Sequence, residues 1–374
     1  MKRIAVLGCT GSIGRQTIEV IRDRFDKYEV VALGCRNNLD AMIRQAQTLG
    51  TSTLLYASGE AIDGYRCYVG EDAMWRYAQE GDYDVLVVAV VGIAGLRPTL
   101  AALARSKIVL LANKETLVCG GNLVMTSQLM HEGVLLPIDS EHSALWQCLD
   151  NQVNRRTVKK LILTASGGAL RDMPLEALSS ASVADVLRHP NWRMGDKITV
   201  DCATMVNKGF EVIEAMHLFG VSLDRIQVLL HRQSLVHSMV QFADNSYLAQ
   251  MAVADMRLPI QYALDYPERR SAIVDELDLT ACPLTFAKVD DARYPSLGVV
   301  VDAAKRGSNA STAVNAADEV AVEAFLAGHI AYGNIHTILT HTASRFEGNA
   351  RDLIDIELVD RDARRIAKEG ICSL

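Results

Sequence analysis

Residues 2–14 read KRIAVLGCTGSIG, and a helix-spaced segment, RQTIEVIRDRF, follows directly. The apolar run has the length and composition of a strand. Glycines at 8, 11 and 14 let the backbone turn sharply and approach a bound group closely, and the helix they open favours an anion at its N-terminus. Strand, G-x-x-G-x-x-G turn and helix in that order form a variant of the Rossmann fingerprint, so the chain is expected to begin with a dinucleotide-binding parallel sheet. Thr10, Gly11, Ser12 and Ile13 would line the pyrophosphate and adenine side. No G-K-[ST] follows the glycines, which excludes a nucleoside triphosphate P-loop.

The alternation of strand and helix continues through YEVVALGC, TLLYA, DVLVVAV, KIVLLAN and GVLLPID, the signature of a doubly wound α/β domain over residues 1–130. Where an NAD site would present an acid to the ribose, the second strand ends in GCRNN and offers Arg36. That favours NADPH, the alternative being a surface arginine in a tight turn beside Asn37 and Asn38. From about residue 156 the character changes. TVKKLILTASGGAL, IQVLLHRQ, SMVQFA and SYLAQMAV are strand candidates close in sequence, which predicts a mixed sheet in an α+β domain spanning 131–255. Residues 256–285 carry three prolines and little periodicity and read as a connection. Residues 286–374 read as a helical domain: in STAVNAADEVAVEAFLAG the apolar Val314, Ala317, Ala321, Ala324 and Phe325 share a face, and Gly328 stands where a helix would stop.

The totals narrow the function. A chain of 374 residues with 49% apolar and 22% charged residues is a multidomain globular composition. A net charge of -7 argues against nucleic acid as the main partner, so an anionic ligand needs locally placed cations. The least charged run, VLVVAVVGIAGL at 85–96, is too short to span a bilayer. With a strand starting at Lys2 and eight scattered cysteines lacking any C-x-x-C pair, a cytoplasmic protein with free thiols is expected.

Acids supply the chemistry. In IDSEHSALWQ, residues 138–147, Asp139 and Glu141 flank Ser140; they start a helix in the ordinary way, or they hold a cation. CATMVNKGFE places Asn207, Lys208 and Glu211 on one helical turn, where Glu211 either pairs with Lys208 or adds a third carboxylate. Three carboxylates with open positions suit magnesium or manganese. In LLANKETLV, Asn113, Lys114 and Glu115 follow a strand; Lys114 faces a ligand crevice there, or lies in a solvated turn. Ser166 before two glycines suits a phosphate, and the loop HPNWRMG, with His189, Trp192, Met194 and Gly195, has the mixture of a lid over residues 186–197 or of a half-buried surface loop.

Together GCTGSIG, ANKE, IDSEHSA, TASGG, HPNWRMG and CATMVNKGFE resemble, in order and spacing, the 1-deoxy-D-xylulose 5-phosphate reductoisomerase family, and RYPSL and TAVNAADEVAVEAFL extend the likeness into the tail. The resemblance implies an NADPH-dependent, magnesium- or manganese-dependent enzyme of the non-mevalonate isoprenoid pathway. It would be a homodimer with its interface in 131–255, acting on a phosphorylated sugar by carbon-skeleton rearrangement and hydride transfer. It also implies roles: metal ligands Asp139, Glu141 and Glu211; substrate contacts Lys114, Ser140, Glu141, Ser166, His189, Trp192, Cys202, Asn207, Lys208 and Glu211, with Lys114 and His189 in the catalytic set; and NADPH contacts Thr10, Gly11, Ser12, Ile13, Cys35, Arg36, Asn37, Asn113, Glu115 and Gly195. Three positions depart from the family pattern: Cys202 replaces a serine, Arg232 a proline and Ala254 a proline. A thiol donates a weaker hydrogen bond than a hydroxyl, so Cys202 lowers the expected phosphate affinity.

Overall fold

The computed structural model describes residues 1–149, 157–192 and 194–374, and the chain divides into two compact units. Residues 150–156 of the expected domain 131–255, and residue 193 of the expected lid, lie outside the described residues. The first unit comprises Met1–Thr116, Asn122–Ser143 and Asp255–Asp275, and the second Leu117–Gly121, Ala144–Ala254 and Glu276–Leu374.

The chain opens with β1 (Lys2–Leu7), α1 (Ser12–Arg22), β2 (Tyr28–Gly34), α2 (Leu39–Leu49), β3 (Thr53–Tyr56), β4 (Arg66–Val69), α3 (Ala73–Glu80), β5 (Val85–Val88), α4 (Leu96–Ala104), β6 (Ile108–Leu111), α5 (Glu115–His131), β7 (Val134–Pro137) and α6 (Ser140–Leu149). The seven strands pair in parallel in the order β4-β3-β2-β1-β5-β6-β7. Every residue of β3 and β5 is buried, as strands covered on both faces must be, which is why they read as unbroken apolar runs. β4 is the exception. Its sequence RCYV buries only Tyr68 and lies at the sheet edge, so it carries no hydrophobic signature.

The second unit holds β8 (Val158–Ala165), α7 (Val183–Val186), α8 (Asp196–Thr204), α9 (Val206–Phe219), β9 (Ile226–Leu230), β10 (Val236–Phe242) and β11 (Tyr247–Met251). These strands form the expected mixed sheet, in which β8 pairs parallel with β9 and antiparallel with β10, which pairs antiparallel with β11.

The expected connection 256–285 is not one loose segment. Arg257–Asp265 is a helix, α10, and belongs to the first unit. Its Pro259 reads as a breaker in the sequence, yet it falls in the first helical turn, where proline is tolerated. Buried charge fixes the helix in place: Asp265 lies 3.5 Å from the Arg24 guanidinium and accepts a 2.9 Å hydrogen bond from the Tyr28 hydroxyl, and Arg24 donates to the Ser271 carbonyl at 3.0 Å.

The remaining elements are β12 (Ala287–Lys288), which adds to β9, and helices α11 (Pro295–Arg306), α12 (Ser308–Leu326), α13 (Tyr332–Ala343) and α14 (Leu353–Cys372). The helical tail is not a separate domain. Val300, Val314, Val320, Phe325, Ile335 and Leu339 share one core with Val200, Phe210 and Ile213 of α8 and α9. The one-faced pattern expected for α12 gives way to burial on all sides, Asn315 and Asp318 included, because its many alanines let neighbouring helices approach closely. Gly328 ends that helix as expected, with φ at +74°.

Removing the Asp265 carboxyl leaves Arg24 buried without its counter-charge. We expect Asp265→Ala to cost about 3–5 kcal/mol in chemical denaturation; a loss below about 1 kcal/mol would return this segment to the status of a linker.

Candidate active site

In the first unit the functional residues gather at the carboxyl ends of the parallel strands, where open α/β sheets bind ligands. Gly8 follows β1 with φ at +84°, and a Cβ there would lie 2.2 Å from the Ala89 carbonyl oxygen. A Cβ on Gly14 would lie 2.2 Å from the Gly8 carbonyl oxygen. Both positions therefore require glycine. The turn they form is tied down by the Gly8 and Cys9 amides, which donate to the Gly34 carbonyl at 2.8 and 2.9 Å. Gly11 is exposed at the start of α1, with Thr10, Ser12 and Ile13 half-exposed around it, so the backbone forms a cradle that fits a pyrophosphate.

Arg36 and Asn37 are exposed after β2. Arg36 stands 3.9 Å from Glu71, with both side chains more than three-quarters exposed, so the pair restrains it little. Cys35 is buried, and that burial pushes its thiol up to about 11; only its backbone is placed to meet a ligand. Asn113 and Glu115 are buried and act as a brace. The Asn113 amide donates to the Val90 and Gly92 carbonyls, each at 2.9 Å, and to Glu115 at 2.8 Å, while Glu115 accepts from the Gly92 amide at 3.2 Å. They shape the loop after β5, a role the sequence did not suggest.

Lys114 is buried, with its ammonium 2.7 Å from Asp139. Asp139 immediately precedes α6, and its second oxygen lies 3.5 Å from His142 Nδ1 and accepts from the Glu141 amide at 3.4 Å. Burial alone would raise this carboxyl, but the Lys114 ammonium and the His142 imidazole outweigh it and hold Asp139 well below the usual carboxylate range. Ser140 donates to Glu141. Asp139 stands at the start of the helix, as the first reading of IDSEHSALWQ expects, and it is also a buried, ionised carboxylate. His142 was missed; its signal was the three-residue spacing from Asp139 on one helical turn.

In the second unit, α8 and α9 meet at Met205, whose φ is +60°, and α9 then presents Asn207, Lys208 and Glu211 together. All three are buried, with the Asn207 amide 2.6 Å and the Lys208 ammonium 2.5 Å from the two Glu211 oxygens. Ser166 follows β8. Its oxygen accepts from the Gly168 amide at 3.2 Å and lies 3.0 Å from His189 Nε2. Because His189 Nδ1 accepts from the Asn191 and Trp192 amides at 3.3 and 3.0 Å, a neutral ring carries its hydrogen on Nε2 and donates it to Ser166. Both lone pairs of the serine are then engaged, and its own hydrogen is left to donate to an anion.

Within the expected lid, 186–197, Val186 ends α7 and Asp196 begins α8, with Gly195 as its cap. Trp192 is half-buried, its ring 6.2 Å from that of His237. Asn191 holds the loop by donating to the Arg232 carbonyl and the Ser234 hydroxyl, each at 2.7 Å. Arg171 donates to the Ser166 and Arg232 carbonyls at 3.0 and 3.1 Å. Neither support was legible in the sequence, because the partners lie up to 61 residues away. Cys202 is partly buried on α8, and a Cβ on Gly168 would come 2.7 Å from its carbonyl oxygen, so the Ser166–Gly168 turn rests directly on that helix.

Family models match nearly the whole chain: 1-deoxy-D-xylulose 5-phosphate reductoisomerase at residues 4–121, its C-terminal domain at 135–219, and the DXP reductoisomerase C-terminal domain at 251–366. The chain belongs to the 1-deoxy-D-xylulose 5-phosphate reductoisomerase family. A reductoisomerase of this name from Bacteroides fragilis is 42% identical over 382 aligned positions, covering 99% of this chain and 98% of the relative. A crystal structure of DOX-P reductoisomerase with NADPH, fosmidomycin and magnesium is 38% identical with a TM-score of 0.94, covering 99% of this chain and 98% of that one. The reductoisomerase of Zymomonas mobilis with NADPH is 36% identical with a TM-score of 0.91, and each chain is covered completely.

Burial, and then the positive Arg171, push His189 down to about 4. An unfolded histidine takes up its proton near pH 6.5, so this group withdraws stability as pH falls from there towards 4. In an NMR titration His189 should stay neutral down to about pH 5; a midpoint near its ordinary value would contradict the hydrogen-bonded tautomer.

Proposed function

We propose that the chain converts 1-deoxy-D-xylulose 5-phosphate to 2-C-methyl-D-erythritol 4-phosphate, using NADPH and a magnesium or manganese ion, in the non-mevalonate route to isoprenoids. Membership of the reductoisomerase family over nearly the full chain supports this. The observation that carries it is the buried Asp139 carboxylate, kept ionised by Lys114 beside the carboxyl end of β7. Such a donor costs free energy in a structural role and suits a hard cation.

The ligand set we assign is Asp139, Glu141 and Glu211, all oxygen donors, which fits magnesium or manganese rather than zinc. When bound, the cation polarises the substrate's carbonyl and hydroxyl oxygens as a Lewis acid, and NADPH supplies the hydride. The protein's own groups do the rest. Lys114 offers positive charge to an oxygen on which charge develops. Ser140 and Glu141 bind the substrate's hydroxyls. Ser166 donates its hydroxyl hydrogen to the phosphate, and Asn207 and Lys208, in the first turn of α9, add an amide, an ammonium and the helix N-terminus. Cys202 contributes a weaker contact. His189 orients Ser166, and Trp192 covers the substrate and excludes water.

The G-x-x-G-x-x-G cradle with Thr10, Gly11, Ser12 and Ile13 holds the NADPH pyrophosphate. Cys35, Arg36 and Asn37 meet the 2′-phosphate side, Asn113 and Glu115 shape the nicotinamide side, and Gly195 contacts the cofactor from the lid. The protein works in the cytoplasm as a homodimer. Supporting that assembly, β11 is an edge strand of the mixed sheet with Tyr247 and Leu248 exposed. Among the described residues no helix is long and apolar enough to cross a membrane.

The deciding assay is NADPH oxidation with 1-deoxy-D-xylulose 5-phosphate after chelation, with and without added magnesium or manganese. We expect turnover only with metal, and a kcat at least roughly 100-fold lower for Glu211→Gln with NADPH affinity unchanged. Normal turnover of that variant would remove Glu211 from the ligand set. In light scattering the protein should have the mass of two chains; a monomer would overturn the assembly.

A further inference from the structure

In the second unit, away from the residues assigned above, three charged groups meet inside the protein. The Lys197 ammonium, on the first turn of α8, lies 2.5 Å from Asp201 on the same helix and 2.7 Å from Asp318 on α12. The two acid side chains are only 4% and 0% exposed. They converge on the one ammonium from two different helices. One ammonium between two ionised carboxylates leaves a buried net negative charge, which is costly in a low-dielectric interior. The buried oxygens Asp201 Oδ1 and Asp318 Oδ1 have no hydrogen-bond donor among the described residues. A proton between the carboxyls removes the excess charge and supplies the missing donor together.

We propose that Asp201 and Asp318 share a single proton and, with Lys197, form a tie that positions α8 against α12. In agreement, burial and then the neighbouring Asp318 hold Asp201 well above the usual carboxylate range, against the pull of Lys197. Lys197 and Asp318 are the charged groups acting most strongly on Asp201. On the other elements packed against α8, charge is directed elsewhere. The Asp185 carboxylate of α7 accepts from the Ser182 amide and hydroxyl, and Lys208 and Glu211 of α9 bind each other. Asp302 and Lys305 of α11 pair at the surface, Arg306 donates to the Ala343 and Phe346 carbonyls, and Glu319 of α12 pairs with Arg364. On α9, Glu214 and His217 are buried or half-buried farther along the helix.

The position of α8 matters because it begins where the His189–Met194 loop ends and because the Ser166–Gly168 turn rests on its last residues. Asp201 and Asp318 are thus positioning residues for the turn. That consequence rests on reading the turn as the phosphate site, whereas the shared proton does not.

The test compares thermal unfolding of the full-length protein and Asp318→Asn from about pH 5 to about pH 9. A raised carboxyl contributes stability that is fully present below its unfolded pKa and is lost as pH rises through its folded one. Asparagine keeps a hydrogen bond to Asp201 and leaves Lys197 and Asp201 as a neutral pair. The variant's Tm should therefore gain on wild type by roughly 3 °C or more across that range; a Tm difference independent of pH would overturn the proposal. A second measurement covers a variant that does not fold. Infrared spectra of the wild-type protein near neutral pH should show a buried protonated-carboxyl band that weakens on alkaline titration, and its absence refutes the shared proton. With substrate, Asp318→Asn should change KM more than kcat; if the proton is found but KM does not move, the phosphate-turn reading fails instead.

Discussion

A carboxylate taken out of water must be met by a cation, by donors or by a proton, and this constraint organises both units of the protein. Asp265 meets Arg24 and a tyrosine hydroxyl, and so a helix distant in sequence belongs to the dinucleotide-binding unit. Asp139 meets Lys114 and His142; Glu211 meets Lys208 and Asn207. At Lys197, two acids meet one ammonium. The same requirement joins segments distant in sequence at Asp265 and gathers charged side chains at Asp139, Glu211 and Lys197.

The acids proposed to hold the metal differ from the structural ones in what accompanies them. Asp265 is enclosed by the Arg24 and Arg270 guanidiniums and the Tyr28 hydroxyl. Asp139 is followed within two residues by a second carboxylate, Glu141, and two acids so close in sequence favour the approach of positive charge. The side proposed for the phosphate uses the opposite logic, with a hydroxyl whose lone pairs are already engaged and a lysine and amide at a helix start.

Much of this was legible because the signals are local. The strand-turn-helix of residues 2–22 has one steric solution, since a Cβ at Gly8 or Gly14 would collide with backbone. Asn207, Lys208 and Glu211 lie within one helical turn, so spacing alone predicts their contact. β4 was missed because a half-exposed edge strand needs no apolar run, and α10 because Pro259 resembles a breaker unless its place in the first turn is known. For Asn113 and Glu115, expected as NADPH contacts, the added role in bracing a loop was not legible, because its partners lie more than twenty residues earlier.

The sequence by itself determined the parallel sheet, the glycine cradle, the acids and lysines at their strand and helix ends, and the family to which the chain belongs. Each of these follows from steric or spacing rules acting over a few residues. Only the tertiary structure decided that the helical tail shares a core with α8 and α9, that the His189 ring donates to Ser166, and that Asp201 and Asp318 meet one lysine. Those outcomes depend on how distant segments exclude water from one another, and burial, unlike spacing, is a property that no short stretch of chain possesses alone.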